Sequence, residues 1–595
     1  MSATTELENP DADNDREIDS SKAHSCFVLK VRYIAMVFQA LWAALVAATL
    51  AQARTAAPTV SAPAGTFAGN TSIQGLDQFL GIPYANPPTG ALRFANPEPF
   101  NGSLPKPFNA TAYGPGCLQN PLYGLYNGLS EDCLTVNVVR PHNLTASSKL
   151  PVLVWIHGGG NENGQSLFYN GTALVQYSVS IDQPVIYVAF NYRLGGFGFM
   201  TSPATQARGL SNLGLKDQYL ALQWVHKNIG SFGGNSSQVI IFGESAGAWD
   251  CWAQLHHAYT LNETNKYFHG MITQSGSPGA LAAPFALPPA AGAPAYQDLL
   301  SQTNCSAAAD SVACLRKAPV DVLSPILTAG SIIQFTLDDD WFSKNLTESL
   351  IDYELAPIPI VHGCNLDEGS VFMPDPFSPP NRTDLIDLIS PYLNNSETLA
   401  ARIVSVYENT SAPELGKGIN ADPSANHSYW TAVGLYSDVW MHLGRRALLR
   451  KASAHVPTWG YSFDQQPPLS QMNLSYEYPG LPASYARRVA VQHGAELSYV
   501  FGEATSLDNR TQGDVAVSTT MMRSWISFAY TLDPNPADGE DVPYWPHYND
   551  TEEGVVMVFQ HQGGQVIAPS KDTMRQKVYD AWNSARETLG LVPIY

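Results

Sequence analysis

The sequence predicts an α/β fold: a large, mostly parallel central sheet flanked by helices. Three observations carry that prediction. After residue 65, apolar runs of strand length alternate with stretches of helical spacing. The runs end in glycine-rich or acidic turns. One of them, VIIFGESAGAWD (239–250), passes from four apolar residues through a serine set between two glycines. Strand–helix alternation of this kind builds a parallel sheet with helices on both faces. Active groups in such sheets collect at the carboxyl ends of the strands.

The elements follow in order. LPVLVWIHGG (150–159) is a buried strand that ends in glycines, and QPVIYVAFNYR (183–193) is a second buried strand. GLKDQYLALQWVHKNIGSFG (214–233) spaces Leu220, Leu222, Trp224, Val225 and Ile229 as a helix does. SQVIIFGESAG is a strand followed by a hard turn, and PIPIVHGCNLDEGSVF (357–372) is a further strand and loop. No linker-like stretch follows residue 70, and no internal repeat stands out.

Composition narrows the class. The chain has 595 residues, 45% hydrophobic and 14% charged, with a formal net charge of -20. Nucleic acid is excluded as a partner, since its phosphates require a basic face. Residues 1–29 form a polar, acidic tail that reads as disordered. Residues 30–53 then join Lys30 and Arg32 to an uncharged apolar run ending in Ala-Gln-Ala, the pattern of a secretory signal cut after Ala53. An uncleaved anchor, with the bulk of the chain outside, is the alternative, because the run is long enough to span a bilayer. Sixteen Asn-x-Ser/Thr sequons stand in the chain, against roughly five expected by chance, which points to export and a sugar-covered surface.

Seven cysteines then belong to an oxidising compartment. Cys117 with Cys133, and Cys305 with Cys314, are candidate pairs closing short loops. Cys251 and Cys364 are candidates for free thiols, and Cys26 falls within the leading tail. No Cys/His cluster has zinc spacing, no cofactor motif is present, and His256 and His257 read as helix-surface residues.

Ser245 poses the chemical question. A serine hydroxyl is a poor nucleophile unless a base takes its proton, an acid holds the base, and donors meet the oxyanion. VWIHGGGNENG supplies three successive glycines, Gly158 to Gly160, at a strand end, and their bare N–H groups are candidate oxyanion donors together with that of Ala246. CNLDEGSVF offers Asp367 and Glu368 as the acid, and VQHGAELSYVFG offers His493 as the base. The order Ser, acid, His fits a serine hydrolase. Spacing does not choose between the two acids.

Read together, these stretches resemble the type-B carboxylesterases, a family that also holds cholinesterases, some fungal lipases and the neuroligins. The likeness runs from about Gly69 to the end, through FLGIPYANPPTGALRF (79–94), SEDCLTVNV (130–138), WIHGGG, NYRLGGFGF (191–199), NLGLKDQYLALQWVHKNIGSFGG, FGESAG, QSGSP (274–278), NLDEGS, HGAELSYVFG, and the closing SFAYTLDPNP and WPHY. It resembles secreted fungal carboxylesterases in particular. The resemblance implies an α/β-hydrolase fold and a single catalytic domain over 54–595. It also implies a triad of Ser245, His493 and Glu368, with oxyanion donors at Gly159, Gly160 and Ala246. The disulfides it implies are Cys117–Cys133 and Cys305–Cys314, and its structural ion pairs Arg93–Glu131 and Arg193–Asp217.

The implied activity is hydrolysis of carboxylic esters through an acyl-enzyme, with no cofactor or metal and a small-molecule ester as the partner. Choline esters are disfavoured. The loop CLQNPLYGLYNGLSEDC lacks the tryptophan that would face a quaternary ammonium, and Tyr123 and Tyr126 read better as packing. Only fifteen residues separate its cysteines, too few for a lid that uncovers much apolar surface. Small or medium acyl esters are therefore preferred. A triacylglycerol lipase is the alternative, supported by Leu118, Leu122 and Leu125. A non-catalytic adhesion protein is the alternative from another class, disfavoured because the triad residues are all present.

Overall fold

The computed structural model describes residues 57–121, 127–279, 281, 286–329, 335–344, 346–373, 378–411, 415, 426–468, 491–506, 510–537, 539 and 542–591. The acidic tail, the apolar run at 33–53, Cys26, Leu122, Tyr123, Leu125 and Tyr126 lie outside these residues. Among the described residues no helix is long and apolar enough to cross a membrane.

Ten strands form the central sheet. In chain order they are β1 (Leu76–Pro83), β2 (Thr135–Pro141), β3 (Leu150–Ile156), β4 (Ile186–Phe190), β5 (Gly234–Glu244), β6 (Gly270–Gln274), β7 (Ile360–Asn365), β8 (Thr458–Phe463), β9 (Val555–Phe559) and β10 (Ala568–Lys571). Their spatial order is β10-β9-β8-β7-β6-β5-β3-β4-β2-β1. Every neighbouring pair from β4 through β3, β5, β6, β7 and β8 to β9 is parallel. Antiparallel pairing is confined to β1 and β2 at one edge and β10 at the other.

The strands are apolar on both faces because both faces are covered. Along β5, Val239 and Ile241 enter one core while Ile240 and Phe242 enter the other, as the two-residue period of a strand requires. The helices that cover them are, in chain order, α1 (Thr172–Ser180), α2 (Leu213–Asn228), α3 (Ala246–Thr260), α4 (Glu397–Glu408), α5 (His427–Ser437), α6 (Leu443–Ser453), α7 (Gln512–Thr531) and α8 (Gln576–Thr588). Leu222 of α2 and Trp252 of α3 pack on one face. Leu174 of α1 and Met521, Trp525 and Phe528 of α7 pack on the other. A third cluster joins α4, α5 and α8 through Tyr407, Trp430 and Trp582. Each such side chain contributes about 1.5–3 kcal/mol by leaving water.

The α2 segment read as helical over 214–233 ends as an α-helix at Asn228 and continues as a tighter turn to Phe232. The reading of His256 and His257 as helix-surface residues is corrected. They are 1% and 6% exposed, because Trp341 and Phe342 close over α3. His257 stacks on Trp341 at 3.9 Å, and burial pulls its pKa down to about 4.

The structure holds disulfides Cys117–Cys133 and Cys305–Cys314, with sequence separations of 16 and 9. Cys251 and Cys364 are buried free thiols. Arg93 makes a two-pronged pair with Glu131 at 2.5 and 2.7 Å, and Arg193 with Asp217 at 2.8 and 2.7 Å.

Candidate active site

Parallel register brings four strand ends to one edge. β3 ends at Ile156, β5 at Glu244, β6 at Gln274 and β7 at Asn365, with Gly243 beside Ile156, Glu244 beside Gln274, and Gln274 beside Gly363. Gly158 to Gly160, Ser245, and Asp367 with Glu368 follow directly after three of those ends.

Ser245 lies between β5 and α3 at φ 57° and ψ −125°. A non-glycine residue there carries backbone strain of order 1–3 kcal/mol, and such strain clusters at functional turns. The flanking helix must sit tight against the sheet. A Cβ on Gly247 would fall 2.1 Å from the carbonyl oxygen of Ile156, so no side chain fits there. The same close approach brings the loop after β3 against the turn. A methyl on Gly158 would stand 3.0 Å from Ser245 Cβ. Ser245 itself remains partly exposed, open to a small molecule from solvent.

In the glycine loop, Gly159 has φ +103°. Its carbonyl accepts from the N–H groups of Glu162 and Asn163, both at 3.0 Å. A Cβ at that position would meet Asn163 O at 2.2 Å. Gly159 is half-buried and Gly160 exposed, while Ala246 is buried as the first residue of α3.

Glu368 and His493 are brought into contact. His493 Nδ1 donates to Glu368 Oε2 at 2.5 Å. Oε1 of the same carboxylate accepts from Ser275 Oγ at 2.5 Å and from the N–H of Asn365 at 2.7 Å. Glu368 is 0% exposed, so these donors replace its hydration. Asp367 turns elsewhere. Its N–H donates to Val491 O at 2.9 Å and its Oδ2 accepts from Val491 N at 3.0 Å, which pins the segment carrying His493 to β7. Burial pushes the Asp367 carboxyl well up. The ring of His493 packs on Phe372 at 4.9 Å, and its Nε2 stands 3.1 Å from Glu244 Oε1.

Sequence reasoning missed several contributors that sit inside the quoted motifs. Ser275 belongs to QSGSP and Asn365 to CNLDEGS. Glu496 belongs to HGAELSYVFG, where it accepts from Asn365 Nδ2 at 2.5 Å and Gln274 Nε2 at 3.0 Å. Burial, then the nearby Glu368 carboxylate, raises the pKa of Glu496. Gln119 was also missed. It is fully buried two residues after Cys117, donates to Gly164 O at 2.9 Å and accepts from Gly164 N at 2.8 Å, tying the disulfide loop to the glycine loop. A polar residue at full burial that pairs with main chain leaves no periodic signal to read. Among the described residues no group of His, Cys, Asp or Glu is arranged to hold a metal.

The model of the carboxylesterase family matches residues 56–582, nearly the whole described chain. The chain belongs to the carboxylesterase family. Among curated relatives it is 31% identical over 570 residues to "Secreted lipase 1" of Botryotinia fuckeliana (strain B05.10), covering 89% of this chain and 93% of that protein. It is also 31% identical over 553 residues to "Carboxylesterase 1C" of Rattus norvegicus, covering 87% and 92%. Among solved structures, that of Aspergillus niger EstA superposes with a TM-score of 0.73 at 26% identity, over 89% of this chain and 99% of the other. As a carboxylesterase, the protein has an α/β-hydrolase fold and carboxylic ester hydrolase activity.

Proposed function

We propose that this carboxylesterase works through Ser245 as nucleophile, His493 as its base and Glu368 as the acid that orients the imidazole. The observation that carries the reading is the His493–Glu368 contact at 2.5 Å on the same sheet edge as the strained turn at Ser245. His493 takes the proton as Ser245 attacks the ester carbonyl, and returns it to the departing alcohol. Water activated by the same ring then releases the acid. The N–H groups of Gly159, Gly160 and Ala246 receive the oxyanion, each contributing about 3 kcal/mol to the transition state. Glu368 stands 2.5 Å from Nδ1 and Glu244 3.1 Å from Nε2, so a carboxyl group faces each nitrogen of the ring.

Small or medium acyl esters are the preferred substrates, because the disulfide loop is too short to serve as a large lid. A lipase is the second reading, favoured by the names of relatives such as that from Botryotinia fuckeliana. Secretion is supported by the same name and by the sequons, since none of the described sequon asparagines is buried. Sequencing the amino terminus of the exported protein tests cleavage after Ala53 against anchoring.

The deciding experiment is a p-nitrophenyl acyl series. Turnover on short soluble chains that vanishes in Ser245→Ala is the expected result. A maximum on long emulsified chains would establish the lipase instead, and undiminished turnover in Ser245→Ala would refute the nucleophile.

A further inference from the structure

Asp250 lies one turn into α3, fully buried. Its Oδ1 accepts from Asn161 Nδ2 at 3.1 Å and its Oδ2 from Gln218 Nε2 at 2.6 Å. Asn161 is the residue that follows Gly160. Its side chain is 5% exposed, and it holds a left-handed φ of 59°. Its carbonyl accepts from Gly195 N at 2.8 Å. The Tyr192 hydroxyl stands 3.0 Å from Asn161 Oδ1 and 2.7 Å from the carbonyl oxygen of His157, at the start of the same loop. Asp250 thus binds the glycine loop to the helix whose first N–H belongs to Ala246. An oxyanion hole drawn from a loop and a helix start works only while the two keep their spacing, and displacement of about 1 Å costs roughly 100-fold.

We propose that Asp250 is a positioning residue of this esterase, whose carboxylate locks the two halves of the oxyanion hole together through Asn161. The inference rests on the reading of Gly159, Gly160 and Ala246 as oxyanion donors.

The surroundings make the lock sensitive to protons. From α2 the carboxyl meets Gln218, which takes a hydrogen bond from Gln254 of α3, and from the glycine loop it meets Asn161. Around them stand Cys251 of α3, whose thiol feels the charge of Asp250, and Tyr192 after β4, on which His157 stacks. His157 is held neutral, its pKa pulled to about 4 by burial, and the burial of Cys251 keeps it a thiol. The neighbouring Arg193 and Asp217 neutralise each other. Burial raises the Asp250 carboxyl to about 7, with the hydrogen bonds from Asn161 and Gln218 pulling the other way. As a carboxylate it accepts from both Asn161 and Gln218. As an acid it must itself donate, and meets amide N–H groups that also donate. The folded chain therefore retains a proton that the unfolded chain releases near 4. Stability from this group is greatest below about pH 4 and is lost as pH rises toward 7, while the locked form prevails above 7.

The test is the pH dependence of kcat/KM on a short p-nitrophenyl ester. Wild type, Asp250→Asn, Asn161→Ala and the double variant are compared per mole of serine titrated with a fluorophosphonate. The expected acid limb of the wild type is steeper than one proton. Asp250→Asn should lower kcat roughly 10- to 100-fold with KM within about twofold, reduce the limb to one proton, and flatten the fall of Tm between pH 4 and 7. Asn161→Ala should give a similar loss, and the double variant no further loss; this pair of results decides the matter if Asp250→Asn does not fold. An unchanged limb in Asp250→Asn, or losses that multiply in the double variant, overturns the proposal. Failure of the underlying reading is seen separately, as activity surviving in Ser245→Ala.

Discussion

A fully buried carboxylate must be held by donors, and Glu368 is held by three: His493 Nδ1, Ser275 Oγ and the N–H of Asn365. Two of the three are there whatever the state of the histidine, so the group is fixed before the substrate arrives. Glu368→Gln is expected to keep the fold and lower kcat roughly 10,000-fold with little change in KM, because the amide imposes the wrong tautomer on the ring. Steady-state kinetics on a soluble ester checks this. At this scale much was legible. A serine between glycines, an acidic turn and a His-Gly pair each stand out in the sequence, and their order limits the choices. The choice of Glu368 over Asp367 was not in the spacing: the two are adjacent, and only the fold sends one to the ring and the other to Val491. Nor was the burial of His256 and His257, which depends on Trp341 and Phe342 arriving from some eighty residues downstream.

At the scale of elements, the disulfide loop and the glycine loop behave as one unit through Gln119 and Gly164. Cys117–Cys133 closes a loop with a separation of 16 residues, for which chain entropy gives about 3 kcal/mol. Replacing both cysteines with serine should lower the unfolding free energy by about that amount in urea titrations. Gln119→Leu, which keeps the bulk and removes both hydrogen bonds to Gly164, should lower kcat roughly tenfold while leaving the disulfide intact. The strands β3, β4, β5 and β7 were legible because each carries a run of apolar residues buried on both faces of the sheet. The pairing order was not, since apolar runs of equal character carry no address. It follows from which helices cover which face.

Over the whole molecule, four of the sequon asparagines fall at the edge of the sheet away from the candidate active site. Asn143, Asn235, Asn262 and Asn549 stand at or just before the amino ends of β3, β5, β6 and β9, the edge opposite Ser245. Protein from a glycosylating host is expected to lose mass on endoglycosidase treatment while its kcat/KM on a soluble ester stays within about twofold. Intact mass spectrometry and kinetics on the same sample check both.

Ser245, Glu368 and His493 hang from different stretches of a chain that is still being threaded out of the ribosome when the first of them emerges. On the proposed roles, a nascent polypeptide that has reached Ser245 and Glu368 still lacks its base, and its sheet lacks the strands that align the rest. Hydrolysis would then be withheld until His493 has been made and β9 and β10 have joined the sheet, and the appearance of esterase activity would serve as a clock for that assembly.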